Sequence, residues 1–190
     1  IKESDSNNFY GRLIHNTNAG IISINKSITD NASKRFTVAH EIGHFFNERN
    51  LKLTNPAVYV KDHENLFRCG ENDITSANKK KRREDNANEF AAELLMHRPW
   101  FNDFIFKRDI KFELIKELAN YFNVSLTAAA FRYVNIGKYP TAVIYSKDGI
   151  VKWSTFHDYF PFKFIPPGYK VRKETAVNDF FTGKTMQTCY

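Results

Sequence analysis

The sequence predicts an α+β fold, in which a small, mainly antiparallel sheet packs on two long helices. A further helix pair and a β-rich C-terminal segment follow. β-forming residues concentrate near the two ends of the chain, while the middle carries apolar residues at helical 3–4-residue spacing. With 42% hydrophobic and 26% charged residues, the 190-residue chain has the composition of a globular protein and enough length for one cored domain.

The N-terminal third predicts two strands and a helix. The stretch RLIHNTNAGIISIN indicates two short strands around a Thr-Asn-Ala-Gly turn. Asp30, Asn31 and Ser33 are N-cap candidates for a helix from about Lys34 to Glu48. The residues of its predicted buried stripe recur every three to four positions: Phe36, Ala39, Ile42, Gly43 and Phe46.

The second helix is expected near Arg82 to His97, after an irregular, polar excursion over residues 50–78. Pro99 is expected to end this helix. The run Lys79 to Arg83, KKKRR, is interpreted as a solvated, flexible loop that could also steer an acidic partner.

Two more helices are expected between Ile110 and Gly137, with Ser125 as an N-cap and Gly137 as a C-cap. After Pro140, TAVIYSKDGIVKWSTF predicts a hairpin around Asp148-Gly149. We place a domain boundary near Gly137, giving units 1–137 and 138–190. Residues 156–190 carry no motif that predicts a role.

Charge and cysteine content say more about where in the cell the protein is expected than about what it does. The net charge of +7 favours acidic partners without identifying one. Two cysteines, Cys69 and Cys189, are too few for a disulfide framework, so we expect the cytoplasm. We expect no membrane helix, because no apolar run approaches ~18 residues. We also expect no signal peptide, because residues 1–12 lack an apolar stretch.

The pentad HEIGH, residues 40–44, predicts a metal site on the first helix. Residues four apart lie one turn above each other, so His40 and His44 can bind one ion. Imidazole nitrogen suits Zn²⁺, which lowers the pKa of a bound water to roughly 7. Glu41, next to the first histidine, can take a proton from that water and pass it to the leaving amine.

A catalytic zinc site usually has a third protein ligand. Asn47 and Asn50 stand where the H-E-x-x-H-x-x-G-x-x-H pattern requires glycine and histidine, which excludes that class. The second helix supplies Glu84 as third ligand, and Asn88, four residues later, can accept a hydrogen bond from the other ring nitrogen of a ligand histidine, His40 by our prediction. Glu89 and Glu93 are rival ligands.

Together, RFTVAHEIGHFF and the later E-x-x-A-N-x-F-A-A-x-L-L-M resemble the ImmA/IrrE family of bacterial and phage metallopeptidases over roughly residues 10–155. The second motif runs from Glu84 to Met96. The family usually has proline directly after this motif, whereas here His97 and Arg98 precede Pro99. The resemblance implies a zincin-like, cytoplasmic zinc endopeptidase of the Glu-ligand type. It also implies a regulatory target such as a helix-turn-helix repressor.

Two further features of the cleavage site are predicted. A second electrophile would stabilise the tetrahedral oxyanion, and the candidates are Arg132, Tyr133, His97 and His157. The strand GIISIN is expected to offer a sheet edge on which the substrate adds as an extra strand.

Two other classes of function remain open. The helix pair at 110–137 resembles a helix-turn-helix, so a DNA-binding module is one alternative. Its second helix, however, is rich in alanine and aromatics and poor in base-reading side chains. A zinc-binding sensor that does not cleave is the other alternative. It would keep the same ligands but would have no need of Glu41.

Overall fold

The computed structural model describes residues 1–4, 10–15, 20–54, 74–162, 165–172 and 175. Within these ranges the chain forms five strands and five helices, which confirms the predicted α+β class. The chain divides into two compact units, Ile1–Leu126 and Thr127–Tyr190. The domain boundary proposed near Gly137 stays a prediction. No helix in the described ranges is both long and apolar enough to cross a membrane.

The first unit opens with a three-stranded sheet of β1 (Lys2–Ser4), β2 (Gly11–His15) and β3 (Gly20–Asn25). The order is β1-β3-β2, with β1 parallel and β2 antiparallel to β3. Strand β1 was not predicted, because three residues paired to a distant segment leave no local pattern. The prediction that GIISIN offers a sheet edge is wrong, because β3 is the central strand and β2 an edge strand.

Helix α1 (Asn31–Thr54) packs on β2 and β3. Asp30 is its N-cap: the Ser33 backbone N–H donates to Asp30 Oδ1 at 2.7 Å. This hydrogen bond holds the pKa of Asp30 below its ordinary value of 3.8, and a hydrogen bond from the Ser33 hydroxyl lowers the pKa further. The helix extends beyond the predicted end at Glu48.

Helix α2 (Ile74–Leu95) begins well before the predicted start near Arg82. The irregular segment predicted over 50–78 is therefore wrong at both ends, and residues 55–73 lie outside the described ranges. The loop predicted for Lys79 to Arg83 is also wrong, because these residues are helical. Lysine and arginine are good helix formers, so a charged run without apolar periodicity can still extend a helix.

Helices α1 and α2 approach closely because small residues meet between them. Gly43 of α1 faces Ala87 of α2: a Cβ on Gly43 would lie 3.1 Å from both the Cα and the O of Ala87 and 3.2 Å from Phe90 Cβ. Ala39 and Ala91 are buried beside this contact on the same two helices. The close approach brings the histidine face of α1 within reach of side chains on α2.

Two shorter helices complete the first unit, α3 (Arg98–Ile105) and α4 (Phe112–Phe122). The helix that Pro99 was expected to end does stop before it, at Leu95, and Pro99 itself lies in the first turn of α3. Proline is favoured there because an N–H at that position would have no partner within the helix. The Arg98 N–H at this helix start donates to Glu93 Oε1 at 2.9 Å. Phe101 and Phe122 stack in the core with ring centroids 5.9 Å apart.

The second unit contains nearly all of α5 (Leu126–Ile136) and the hairpin of β4 (Ala142–Lys147) and β5 (Ile150–Phe156). Ser125 and Gly137 flank α5 as predicted. The two hairpin turn residues, Asp148 and Gly149, have φ of 54° and 71°, the left-handed pair that a type I′ turn requires. The predicted hairpin is therefore present, with its turn at the predicted Asp148-Gly149.

Candidate metal centre

The two histidines of HEIGH point to the same place from one face of α1. Their Nε2 atoms lie 3.0 Å apart, and their rings meet edge to face with centroids 4.6 Å apart. The i, i+4 spacing on a helix produces this arrangement. Both side chains are largely buried, 17% and 16% exposed, which restricts their rotamers.

Glu84 of α2 completes a group of three. Its Oε2 lies 3.2 Å from His40 Nε2, and its Oε1 lies 3.6 Å from His44 Nε2. Among the residues that the structure describes, His40, His44 and Glu84 are the group of His, Cys, Asp and Glu side chains that could hold a metal ion. The carboxylate is about half exposed, so the group is open to solvent on that side.

The spacing of these atoms fits a zinc ion. Tetrahedral Zn²⁺ with bonds of ~2.0–2.1 Å holds its ligand atoms about 3.3 Å apart. The separations of 3.0, 3.2 and 3.6 Å span that value. Two imidazoles and one carboxylate are also a donor set that catalytic zinc sites use with an open fourth position.

Asn88 lies where the sequence predicts it, one turn after Glu84. Its Oδ1 is 2.9 Å from His40 Nδ1. An amide oxygen only accepts hydrogen bonds, so this contact requires the Nδ1–H of His40 to donate, and in the neutral ring Nε2 then keeps its lone pair. This contact therefore fixes the tautomer and the ring orientation that metal binding by His40 Nε2 needs.

Glu41 is buried in the first unit, with 8% of its surface exposed. Its carboxylate lies directly against Gly11 of β2: a Cβ built on Gly11 would come within 2.7 Å of Glu41 Oε1. Sequence reasoning missed Gly11. The available signal was an isolated glycine in a strand pattern, which often marks a close approach of another group.

Other predicted candidates lie away from this group or have other roles. Glu89 is exposed and is not part of the three-residue group, and Glu93 accepts the hydrogen bond at the start of α3. His97 is the N-cap of α3 and packs on Trp100, with ring centroids 5.3 Å apart. Leu95, the last residue of α2, lies about 16 Å along the helix axis from Glu84, which disfavours His97 as an oxyanion stabiliser.

The remaining candidates belong to the second unit. Arg132 and Tyr133 are buried on α5, with 4% and 1% of their surface exposed. Burial raises the pKa of Tyr133, and Tyr139 adds to the effect. His157 follows β5 and accepts a hydrogen bond at Nδ1 from the Tyr159 N–H at 3.2 Å. Their part in catalysis stays a prediction.

The burial of Arg132 also bears on the DNA-binding alternative. A recognition helix reads bases through exposed polar side chains, and arginine makes the commonest specific contact. On α5 the arginine is buried, and two of the four exposed positions are apolar: the four are Leu126, Thr127, Phe131 and Asn135. This helix is therefore poorly suited to read bases.

Residues 1–133 match the Peptidase M78 family model, described as the IrrE N-terminal-like domain. The match spans well over half of the chain and confirms the resemblance inferred from HEIGH and the second motif. No curated protein matches the chain.

Proposed function

We propose a function for this chain on the basis that it belongs to the Peptidase M78 family. It is a zinc-dependent endopeptidase in which a glutamate is the third metal ligand and Glu41 is the general base. The observation that carries the proposal is the convergence of two imidazole Nε2 atoms and the Glu84 carboxylate, with the closest atoms of each pair 3.0 to 3.6 Å apart. A family of metallopeptidases acts on protein substrates, and this group is where the described part of the chain could hold the metal.

His40, His44 and Glu84 would hold the ion. Zinc bound there supplies Lewis acidity, which makes water a nucleophile near neutral pH and polarises the scissile carbonyl. The His40–Asn88 hydrogen bond keeps the His40 ring in the orientation that presents Nε2. The half-exposed Glu84 carboxylate leaves a side of the group open, through which a peptide could approach.

Glu41 would move the proton. Glu41 directly follows His40 on α1, and its burial keeps bulk water away from its carboxylate. In the proposed reaction the Glu41 carboxylate takes a proton from the attacking water and gives it to the leaving amine. A site that only binds zinc has no use for this carboxylate, which favours the enzyme over the sensor.

We propose β2 as the strand on which an extended substrate pairs. Among the described strands it lies at an edge of the sheet, and it is the strand that contacts Glu41. An added strand gains backbone hydrogen bonds whatever its sequence. The family resemblance supports a cytoplasmic regulatory protein, such as a helix-turn-helix repressor, as the target.

Labelling of new protein N-termini tests the proposal. The zinc-loaded protein and its Glu41→Gln variant are incubated separately with an extract of the cells that express it. We expect new N-termini inside a small set of regulatory proteins with the wild type and none with the variant. The account of Glu41 is wrong if the variant, carrying the same amount of zinc, generates the same N-termini at the same rate.

A further inference from the structure

Gly11 is required for space rather than for backbone conformation. A Cβ at this position would lie 2.5 Å from Thr37 Cγ2, 2.7 Å from Glu41 Oε1 and 3.1 Å from Glu41 Cγ. Ordinary van der Waals contacts of carbon atoms lie at ~3.5–4.0 Å. Gly11 is not one of the described glycines with positive φ, so any residue could adopt its backbone angles. The three nearest atoms that a larger residue would meet all belong to side chains of α1.

The backbone of Gly11 is held in the sheet that packs on α1. Gly11 pairs with Ile24, a buried residue of the central strand, and the neighbouring Tyr10 carbonyl accepts a 2.9 Å hydrogen bond from the Asn25 N–H. The strand therefore cannot move away from α1 without disturbing the sheet.

The side chain of Glu41 is the group that would yield to a methyl group at position 11. Thr37 is β-branched and lies inside a helix, so few χ1 angles are open to it. Glu41 has three rotatable side-chain bonds, and its carboxylate oxygen Oε1, 2.7 Å from the added carbon, is the second closest atom after Thr37 Cγ2. A side chain at position 11 thus displaces the carboxylate.

We propose that Gly11 is a positioning residue. Because it has no side chain, it leaves the space between β2 and α1 that the Glu41 carboxylate occupies. The position of the general base therefore depends on the residue at this place in the edge strand. This inference rests on the proposed function of Glu41. A misplacement of about 1 Å at a reacting group can lower a rate 10²-fold. Substitution of Gly11 should therefore affect the chemical step more than metal or substrate binding.

The contact is tested first without any cleavage assay. Gly11→Ala is introduced into the wild type and into Glu41→Ala, which lacks the Cγ and carboxylate atoms, and the urea midpoint is measured for all four proteins. We expect Gly11→Ala to lower the midpoint in the wild type, and to lower it by less than half as much in the Glu41→Ala background. An equal loss in both backgrounds overturns the proposal, because Glu41 would then not be the group displaced.

A second set of four variants covers the case in which Gly11→Ala does not fold. If Gly11→Ala folds in neither background, the four proteins are remade with Thr37→Ser, which removes the 2.5 Å contact and keeps the contacts to Glu41. The same difference between backgrounds is expected there. Folding of Gly11→Ala only with Glu41→Ala would be the strongest form of the expected result.

The catalytic consequence is tested by steady-state kinetics. The substrate is an internally quenched peptide that spans a cleavage site found by N-terminal labelling. For Gly11→Ala we expect kcat to fall about 10²-fold, with KM and zinc content within twofold of wild type, and no recovery in Gly11→Ala/Thr37→Ser. Recovery of kcat by Thr37→Ser, or an unchanged kcat, contradicts the proposal, since the effect would then not run through Glu41.

Cleavage by Glu41→Gln and the urea midpoints together separate failure of this inference from failure of the proposed function. If Glu41→Gln cleaves as well as the wild type, Glu41 is not the base and the positioning role is overturned with it, whatever the urea midpoints show. If Glu41→Gln is inactive and the midpoints show no coupling, the proposed function stands and only the role of Gly11 is wrong.

Discussion

His40 Nδ1 and Asn88 Oδ1 lie 2.9 Å apart and join the two long helices of the first unit. The contact satisfies one ring nitrogen of His40 and leaves the other, Nε2, 3.0 Å from His44 Nε2 and 3.2 Å from the Glu84 carboxylate. The orientation of the first histidine therefore depends on a residue of the other helix.

Replacement of Asn88 by alanine should weaken zinc binding without removing a ligand. Loss of an outer hydrogen-bond partner typically lowers metal affinity 10–100-fold, and we expect a loss in that range from competition with a chromogenic zinc chelator. Asn88→Asp keeps an acceptor at the same place and should bind zinc at least as tightly as wild type. Equal affinity of Asn88→Ala and wild type would show that the contact does not orient the ring for metal binding.

Replacement of Glu84 by glutamine should have a larger effect, because it changes a proposed ligand. We expect zinc affinity to fall by more than the 10–100-fold typical of an outer partner. The matched control is Glu89→Gln, an exposed glutamate on the same helix, which should retain wild-type affinity. Zinc content after dialysis, measured by atomic emission, checks both. If Glu89→Gln loses the metal and Glu84→Gln keeps it, the third ligand is misassigned.

Gly43→Ala should destabilise the protein even though alanine is the better helix former. Alanine gains ~0.5–1 kcal/mol over glycine within a helix, but the added carbon would lie 3.1 Å from backbone atoms of Ala87, which cannot turn aside. Overpacking typically costs ~1–3 kcal/mol, so we expect a net loss of about 1 kcal/mol in urea denaturation.

Asn86→Ala, at an exposed position of α2, is the control for helix propensity and should be neutral or stabilising. A gain in stability for Gly43→Ala would mean that α1 and α2 do not pack as closely as described.

Asp30 should make folding stability depend on acid pH. Its pKa is lowered in the folded state, so its ionised form stabilises the protein above its ordinary pKa of 3.8, and this contribution is lost as the pH falls through the lower, folded value. The side-chain amide of the Asp30→Asn variant can cap α1 without titrating. The difference in urea midpoint between the two proteins should therefore be constant from pH 7 to about pH 5 and should shrink below pH 3.8. A difference that does not change with pH would contradict this role of Asp30.

The pairs of site residues that lie on one helix were predictable from the sequence, because helical spacing alone places them on the same face. Four-residue spacing places His40 above His44 and Glu84 above Asn88. Once two helices are inferred, few side chains other than Glu84 can complete the group. The structure brings these four residues together as the sequence predicts.

The long-range part of the fold was not predictable in the same way. Strand order depends on which distant segments pair, so the central place of β3 and the existence of β1 have no local signal. The prediction for Pro99 missed the helix that it begins, because proline can follow the end of one helix and stand in the first turn of the next. The contact of Gly11 with Glu41 joins a strand to a helix, and no spacing rule connects them.

Anomalous diffraction across the zinc absorption edge, from crystals grown with zinc and without chelator, tests the central claim most directly. We expect one strong peak bonded to His40 Nε2, His44 Nε2 and a Glu84 oxygen at ~2.0–2.2 Å, with Glu41 nearby but not bonded to the metal. A peak with Glu89 or Glu93 as third ligand would contradict the assignment of Glu84. Histidines that pack without metal in zinc-saturated crystals would contradict the claim itself.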